Sequence, residues 1–288
     1  MRRAILSLLV CALAVTAAAH EGHGAARPRV ATFIPMAREA LAKYADRVDV
    51  VASVRSDMRT PLPAGITDLG SPHAPNFELL TAARPTVVVV DAQMHAQMRE
   101  SLERSGAKVL PIDSASVAST FAGLTELGGA VGLQKELEAD VADARAQLAA
   151  QTLAKPEPTL ALFGAPGSFF VVTERTWLGD LMREVGLTNV APAGLQSGRF
   201  PGFAPLNDEV LATLSPELVL LVAHGNPQAV QQAFERELAE RPVWKSVRES
   251  AARGVHALDP TLFSSNPGLG LPRAARALRA IADSPPKP

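Results

Sequence analysis

The sequence predicts an α/β protein of two lobes, each with a central parallel sheet, joined by one long rigid α-helix and enclosing a cleft. Three observations point there. From Arg29 onward, apolar strand-length runs alternate with helix-length segments, the order that builds parallel sheets. Near the middle of the chain, Leu133 to Lys155 contains no Gly or Pro, and Leu133, Leu137, Val141, Ala144, Leu148 and Leu153 line one face of it. At 1.5 Å per residue that stretch is roughly 35 Å long, the width of a small domain. Finally, a pattern before it recurs after it. Asn76-Phe77-Glu78-Leu79-Leu80, then Pro85 and Val87 to Val90, matches Asn207-Asp208-Glu209-Val210-Leu211, then Pro216 and Leu218 to Leu221, at an offset of 131 residues.

Taken in order, residues 1–19 read as a secretory signal: Arg2 and Arg3, the apolar run Ala4 to Ala19, and small residues at its end. The run is short for a membrane span and a polar segment follows it. The single cysteine, Cys11, lies inside it after Val10, so lipid anchoring is not expected and the mature chain would carry no thiol. Losing Arg2 and Arg3 takes the formal charge from −1 to −3. With 28 basic and 29 acidic residues no polybasic surface argues for nucleic acid. Residues 20–28 form a flexible leader in which His20 and His23 are more simply incidental than metal-binding.

The first lobe spans 29–131. Strands are expected at Arg29–Ile34, Val48–Val54, Val87–Val90 and Ala107–Ile112, and helices at Arg38–Ala45, Asn76–Ala83, Met94–Ser105 and Val117–Val131. Asp57 to Thr67 reads as a surface loop. The linking helix takes 132–156. The second lobe, 157–288, has strands at Thr159–Phe163, Phe169–Val172, Leu218–Val222 and Gly254–Leu258. Its helices are Trp177–Val185, Asp208–Leu214, Pro227–Glu240, Trp244–Ala252 and Pro272–Ala282. A cleft between two such lobes is the usual seat of a ligand.

The chain has no Walker loop, no G-x-G-x-x-G after a strand, no G-x-S-x-G, no H-E-x-x-H and no CxxC pair, so a binding function is expected rather than an enzyme. Histidines carry the remaining chemistry. His224 follows a strand, where ligands sit in an open parallel sheet, and His73 precedes the Asn76 helix. His95 is the alternative partner, and His256 reads as structural. A lone His is more often structural than a ligand, but two neutral imidazoles across a cleft could take both axial positions of a haem iron. Glu78 and Glu209 each sit in the first turn of a capped helix, which helix-dipole stabilisation alone explains. Their repetition favours a second role, as matched carboxylates that meet basic residues of a partner.

The segments D-L-G…P-N-F-E-L-L-T-A-A-R-P (from Asp68) and L-N-D-E-V-L-A-T-L-S-P (from Leu206) resemble the periplasmic binding proteins of iron-siderophore, cobalamin and haem importers, the class with a rigid linking helix. Gly164 to Leu181, Ala223-His224-Gly225-Asn226-Pro227 and Val243-Trp244-Lys245 resemble one branch, the haem-binding lipoprotein of the iron-regulated surface determinant system. The resemblance covers nearly the whole mature chain and implies two Rossmann-like lobes with the ligand between them. It also implies capture of haem as transported ligand, and delivery to an inner-membrane ABC permease dimer and its ATPase.

Carried over by position, His224 is an axial ligand, and His73 in Gly70-Ser71-Pro72-His73-Ala74-Pro75 stands where the branch has methionine. Bis-histidine ligation then implies a lower reduction potential than Met/His. Glu78 and Glu209 would dock arginines of the permease. Met36 and Phe169 would line the pocket, with Arg55, Arg175, Arg199 or helix N-termini for the propionates. The expected protein is monomeric and free in the periplasm. A ferric-siderophore carrier is the alternative, and a periplasmic metal-ion chaperone using His20/His23 and a bare ion at His73/His224 is the more distant one.

Overall fold

The apolar runs Val87–Val90 and Leu218–Val222 lie in fully buried strands, each near the middle of its own sheet. The computed structural model describes residues 26–55, 61–165, 168–192, 194–195 and 201–285. The expected signal segment, His20, His23, Arg199 and part of the 57–67 loop lie outside them. The first lobe runs β1 (Arg29–Thr32), α1 (Pro35–Leu41), β2 (Asp49–Ser53), β3 (Thr67–Asp68), β4 (Gly70–Ser71), β5 (Ala74–Pro75), α2 (Phe77–Ala82), β6 (Val87–Asp91), α3 (Arg99–Glu103), β7 (Lys108–Ile112) and α4 (Val117–Ala130). After α5 (Gln134–Ala149) come β8 (Glu157–Ala165), β9 (Ser168–Val172), α6 (Trp177–Val185), β10 (Leu187–Asn189), β11 (Phe203–Pro205), α7 (Asp208–Ala212) and β12 (Leu218–Ala223). The chain closes with α8 (Pro227–Glu240), α9 (Pro242–Ser250), β13 (Gly254–Ala257), α10 (Pro260–Phe263) and α11 (Leu271–Ala282).

The first sheet has the order β3-β2-β1-β6-β7 and is parallel throughout. The second has the order β11-β9-β8-β12-β13, with β10 beside the start of β8. Its strands β8, β12 and β13 are parallel, and its β9 side is not. Ala165 pairs with Ser168, so β8 and β9 form a hairpin, which is necessarily antiparallel, and β11 pairs antiparallel to β9.

Alternate residues of each strand enter different cores, as the two-residue period requires. Val30, Val87 and Val89 of the first sheet and Leu218, Leu220 and Val222 of the second join one continuous core with α4, α5, α6 and α11. The opposite faces are covered separately, the first by Leu80 and Leu102, the second by Phe234, Leu238, Trp244 and Val247.

The linking helix is shorter than the uninterrupted pattern suggests, 16 residues rather than the span to Lys155, or about 24 Å. The apolar stripe Leu137, Val141, Ala144 and Leu148 is buried as expected. Past Ala150 the chain finds better partners outside the helix. Leu153 N–H donates to the Val185 carbonyl at 2.8 Å and Thr152 Oγ1 to that of Glu184 at 3.2 Å. Arg279 meets the exposed Ala150 carbonyl at 2.9 Å. On the first-lobe side, Tyr44 donates to Asp140 at 2.8 Å, and Lys43–Asp140 and Arg47–Glu136 are ion pairs. The helix expected at Met94–Ser105 is interrupted: a 3-10 turn, Ala96–Met98, precedes a short α3.

Two buried polar side chains also tie the lobes. Asp180 of α6 accepts from the Val117 N–H at the start of α4. Asn266 donates to the Ser114 carbonyl at 3.0 Å and to Thr120 Oγ1 at 2.7 Å, and accepts from the Gly268 N–H at 2.9 Å. Among the described residues no helix is long and apolar enough to cross a membrane.

Candidate ligand site between the lobes

His73 occupies the two-residue turn of a miniature hairpin. Gly70 pairs with Pro75 and Ser71 with Ala74, which leaves Pro72 and His73 at the tip. Gly70 has φ +85°, a left-handed conformation that a side chain would strain. The hairpin follows directly from β3, at the carboxyl edge of the first sheet. His73 is exposed, and its N–H donates to Ser71 Oγ at 3.2 Å.

His224 is the first residue beyond β12, again at a carboxyl edge, and its N–H continues the ladder to the Gly164 carbonyl at 2.8 Å. Gly225 then turns at φ +87°, and Asn226 caps α8 by accepting from Gln228 and Ala229 N–H. The His224 ring lies against Phe163 with centroids 5.4 Å apart, and Phe163 against Phe203 at 4.6 Å. His224 is exposed, but partial desolvation, first, and His73, second, push its pKa below its ordinary value. His73 and His224 thus stand at the carboxyl edges of the two sheets, one on each lobe. A depressed pKa keeps the imidazole in the neutral form that binds metal.

His95 is 1 % exposed and has both ring nitrogens engaged. Nδ1 accepts from the Asp91 N–H at 2.9 Å, and Nε2 lies 3.0 Å from the Pro72 carbonyl. Its pKa is lowered, first by burial. An iron atom has no lone pair to take here, so His95 is a framework residue. His256 is likewise occupied, with Nε2 at 2.8 Å from the Arg253 carbonyl. Among the described residues, no group of three or more His, Cys, Asp or Glu side chains is arranged to hold a metal ion.

The other expected site residues divide. Met36 is 2 % exposed in the continuous core, where its Cβ is 2.8 Å from the position a side chain on Gly268 would take. Phe169 packs on Phe234 at 5.2 Å and Trp244 at 6.1 Å, on the outer face of the second sheet. Neither is brought to the histidines. Phe163 is, and the two-residue period could have found it. In β8, Leu160 and Leu162 enter the outer core, so Phe163 faces the other way. Arg55 pairs with Asp68 at 3.0 Å, and its N–H donates to Gly70 at the foot of the His73 hairpin. Arg175 is exposed in the turn before α6.

Glu78 and Glu209 occupy matching positions. Asn76 Oδ1 accepts from Leu79 N–H at 3.0 Å and Asn207 Oδ1 from Val210 N–H at 2.8 Å, so each glutamate is the second residue of a capped helix. Both are exposed, and among the described residues neither makes an ion pair. Leu79, beside Glu78, is one of two exposed large apolar residues among those described; the other is Met94.

The family described as "Periplasmic binding protein" matches residues 25–260. The high-affinity heme uptake system protein IsdE of Staphylococcus aureus is 25% identical over 204 residues, covering 69% of this chain and 68% of that one. The structure of S. aureus IsdE complexed with heme superposes with a TM-score of 0.74 at 21% identity, over 90% of this chain and 100% of that one. The Bacillus subtilis triscatecholate siderophore binding protein FeuA, complexed with ferri-bacillibactin, superposes at 0.67 and 16% identity, over 88% and 90%.

Proposed function

The chain belongs to the periplasmic binding protein family, the substrate-binding components of transport systems, and on that premise we propose that it captures haem and hands it to an ABC permease. The observation that carries this reading is the pairing of His73 and His224. Each stands at the carboxyl edge of its own sheet, one on each lobe, and His224 has the Phe163 ring beside it. Two imidazoles alone complete only the axial positions of a six-coordinate iron. In this reading the metal arrives with its equatorial donors already in place, as a porphyrin supplies them.

In this reading His73 and His224 ligate iron from opposite faces, and Phe163 and Phe203 give the porphyrin an aromatic wall on the second lobe. Arg55, Arg175 and Arg199 remain the candidates for the propionates. Glu78 and Glu209, one on each lobe, meet two basic residues of the permease dimer. The segment 1–19 directs export, and the mature chain works as a monomer outside the inner membrane.

The second reading is a ferric-siderophore carrier, supported by the likeness to FeuA. The two part on ligand competition. The purified apo-protein is titrated with hemin, with a ferric tris-catecholate and with zinc. Saturable one-to-one binding of hemin that the catecholate does not displace supports haem. Preferential binding of the catecholate, or of bare zinc, overturns it.

A further inference from the structure

Among the described residues His95 is the one buried histidine; the ligand reading leaves its chemistry unused, and its two hydrogen bonds specify its state. The Asp91 backbone N–H can only donate, so Nδ1 at 2.9 Å must be the unprotonated acceptor. The proton therefore sits on Nε2, which donates to the Pro72 carbonyl at 3.0 Å. That carbonyl belongs to the same peptide group as the His73 N–H. The N–H end is held as well, by Ser71 Oγ at 3.2 Å. The peptide plane that carries the His73 Cα is thus fixed at both ends.

The hairpin needs such an anchor. Its strands are two residues each, too short to be stable alone. The anchor is itself braced. Asp91 Oδ1 accepts from Gln93 and Met94 N–H, at 2.9 and 2.8 Å, which shapes the turn leading to His95. Asp91 Oδ2 accepts from Ser114, and the His95 ring meets Phe33 edge-on at 5.3 Å.

We propose that His95 is the positioning residue for His73: its Nε2–H holds the Pro72–His73 peptide so that the exposed imidazole is set for axial ligation before the ligand arrives. The inference rests on the reading of His73 as an iron ligand, but the hold on the hairpin is a property of the ligand-free protein. Such preorganisation lowers the ordering cost of binding.

The test uses the mature chain with His95→Phe, which keeps the ring against Phe33 and loses both bonds, and with His95→Gln, whose amide can accept from Asp91 and donate to Pro72. His73→Ala is the reference. In the absence of ligand, His95→Phe is expected to raise amide hydrogen exchange of Ser71, His73 and Ala74 about tenfold while the central strands β6 and β12 stay protected. With hemin it is expected to give a mixed high- and low-spin ferric spectrum and dissociation about five- to tenfold faster, the equivalent of one neutral hydrogen bond. His95→Gln restores both. Unchanged hairpin exchange and an unchanged low-spin spectrum in His95→Phe overturn the proposal, as does a failure of His95→Gln to restore either. If His73→Ala keeps the wild-type spectrum while His95→Phe loosens the hairpin, the ligand reading of His73 fails and the hold by His95 stands.

Discussion

The Oδ2 of Asp180, on the second lobe, accepts a 2.8 Å hydrogen bond from the backbone N–H of Val117, the first residue of α4 on the first lobe. With Asn266 bonded to Ser114 and Thr120, it joins the lobes through buried polar groups as well as through α5. A boundary so fixed has little freedom to hinge. Asp180→Ala and Asn266→Ala each leave buried partners unpaired and are expected to cost about 2 kcal/mol of stability, read by urea unfolding. In the wild type, hemin is expected to leave the radius of gyration nearly unchanged. A large contraction on binding would show that the lobes move.

Acid sensitivity follows from two histidines. Burial holds His95 below its ordinary value of 6.5, and partial desolvation followed by His73 does the same for the more exposed His224. As pH falls below about 6.5 the unfolded chain takes up protons that the folded chain refuses. Their stabilisation is therefore complete above that pH, and is lost progressively as pH drops toward the folded values. Urea midpoints measured from pH 7.5 to 5 should decline, and the decline should be shallower in His95→Phe. A flat wild-type profile would contradict the assignment.

Phe163 and Phe169 are both strand aromatics of the second lobe, yet they should behave oppositely. Phe163→Ala, beside His224, should weaken hemin binding about fivefold, the worth of one aromatic contact. Phe169→Ala should cost about 2–3 kcal/mol of stability by opening the contact with Phe234 and Trp244, and leave hemin affinity within about twofold. The comparison is a pair of hemin titrations beside a pair of unfolding curves.

Glu78 and Glu209 make no ion pair among the described residues, so Glu78→Lys with Glu209→Lys should leave hemin binding intact. Haem-dependent uptake through the cognate permease should fall more than about tenfold, since like charges facing each other at an interface cost several kcal/mol. Equal uptake by the double variant would remove these residues from the docking surface.

What could be read from the chain was what repeats or what is buried on both sides. The strands β6 and β12 are continuous apolar runs because both of their faces enter cores. The asparagine caps before Glu78 and Glu209 are local signals with a known mechanism. The three-residue strands β10 and β11 are too short for a period to register. The end of α5 was hidden because Gln151 to Lys155 is good helical sequence, and only the distant Val185 and Glu184 carbonyls draw it away. The pairing of His95 with Pro72 spans 23 residues, and nothing in either segment alone marks it. For Met36 the sequence shows an apolar residue after a strand; only the approach of Gly268 shows that core, not cleft, covers it.

The central claim is that His73 and His224 ligate one iron. Its most direct test is electron paramagnetic resonance of the ferric hemin complex of the wild type, His73→Ala and His224→Ala, each titrated to one equivalent. The account predicts a low-spin bis-imidazole signal in the wild type, and a high-spin signal when either histidine is removed. A low-spin signal that survives both substitutions, or a wild type that takes up no stoichiometric hemin, would contradict it.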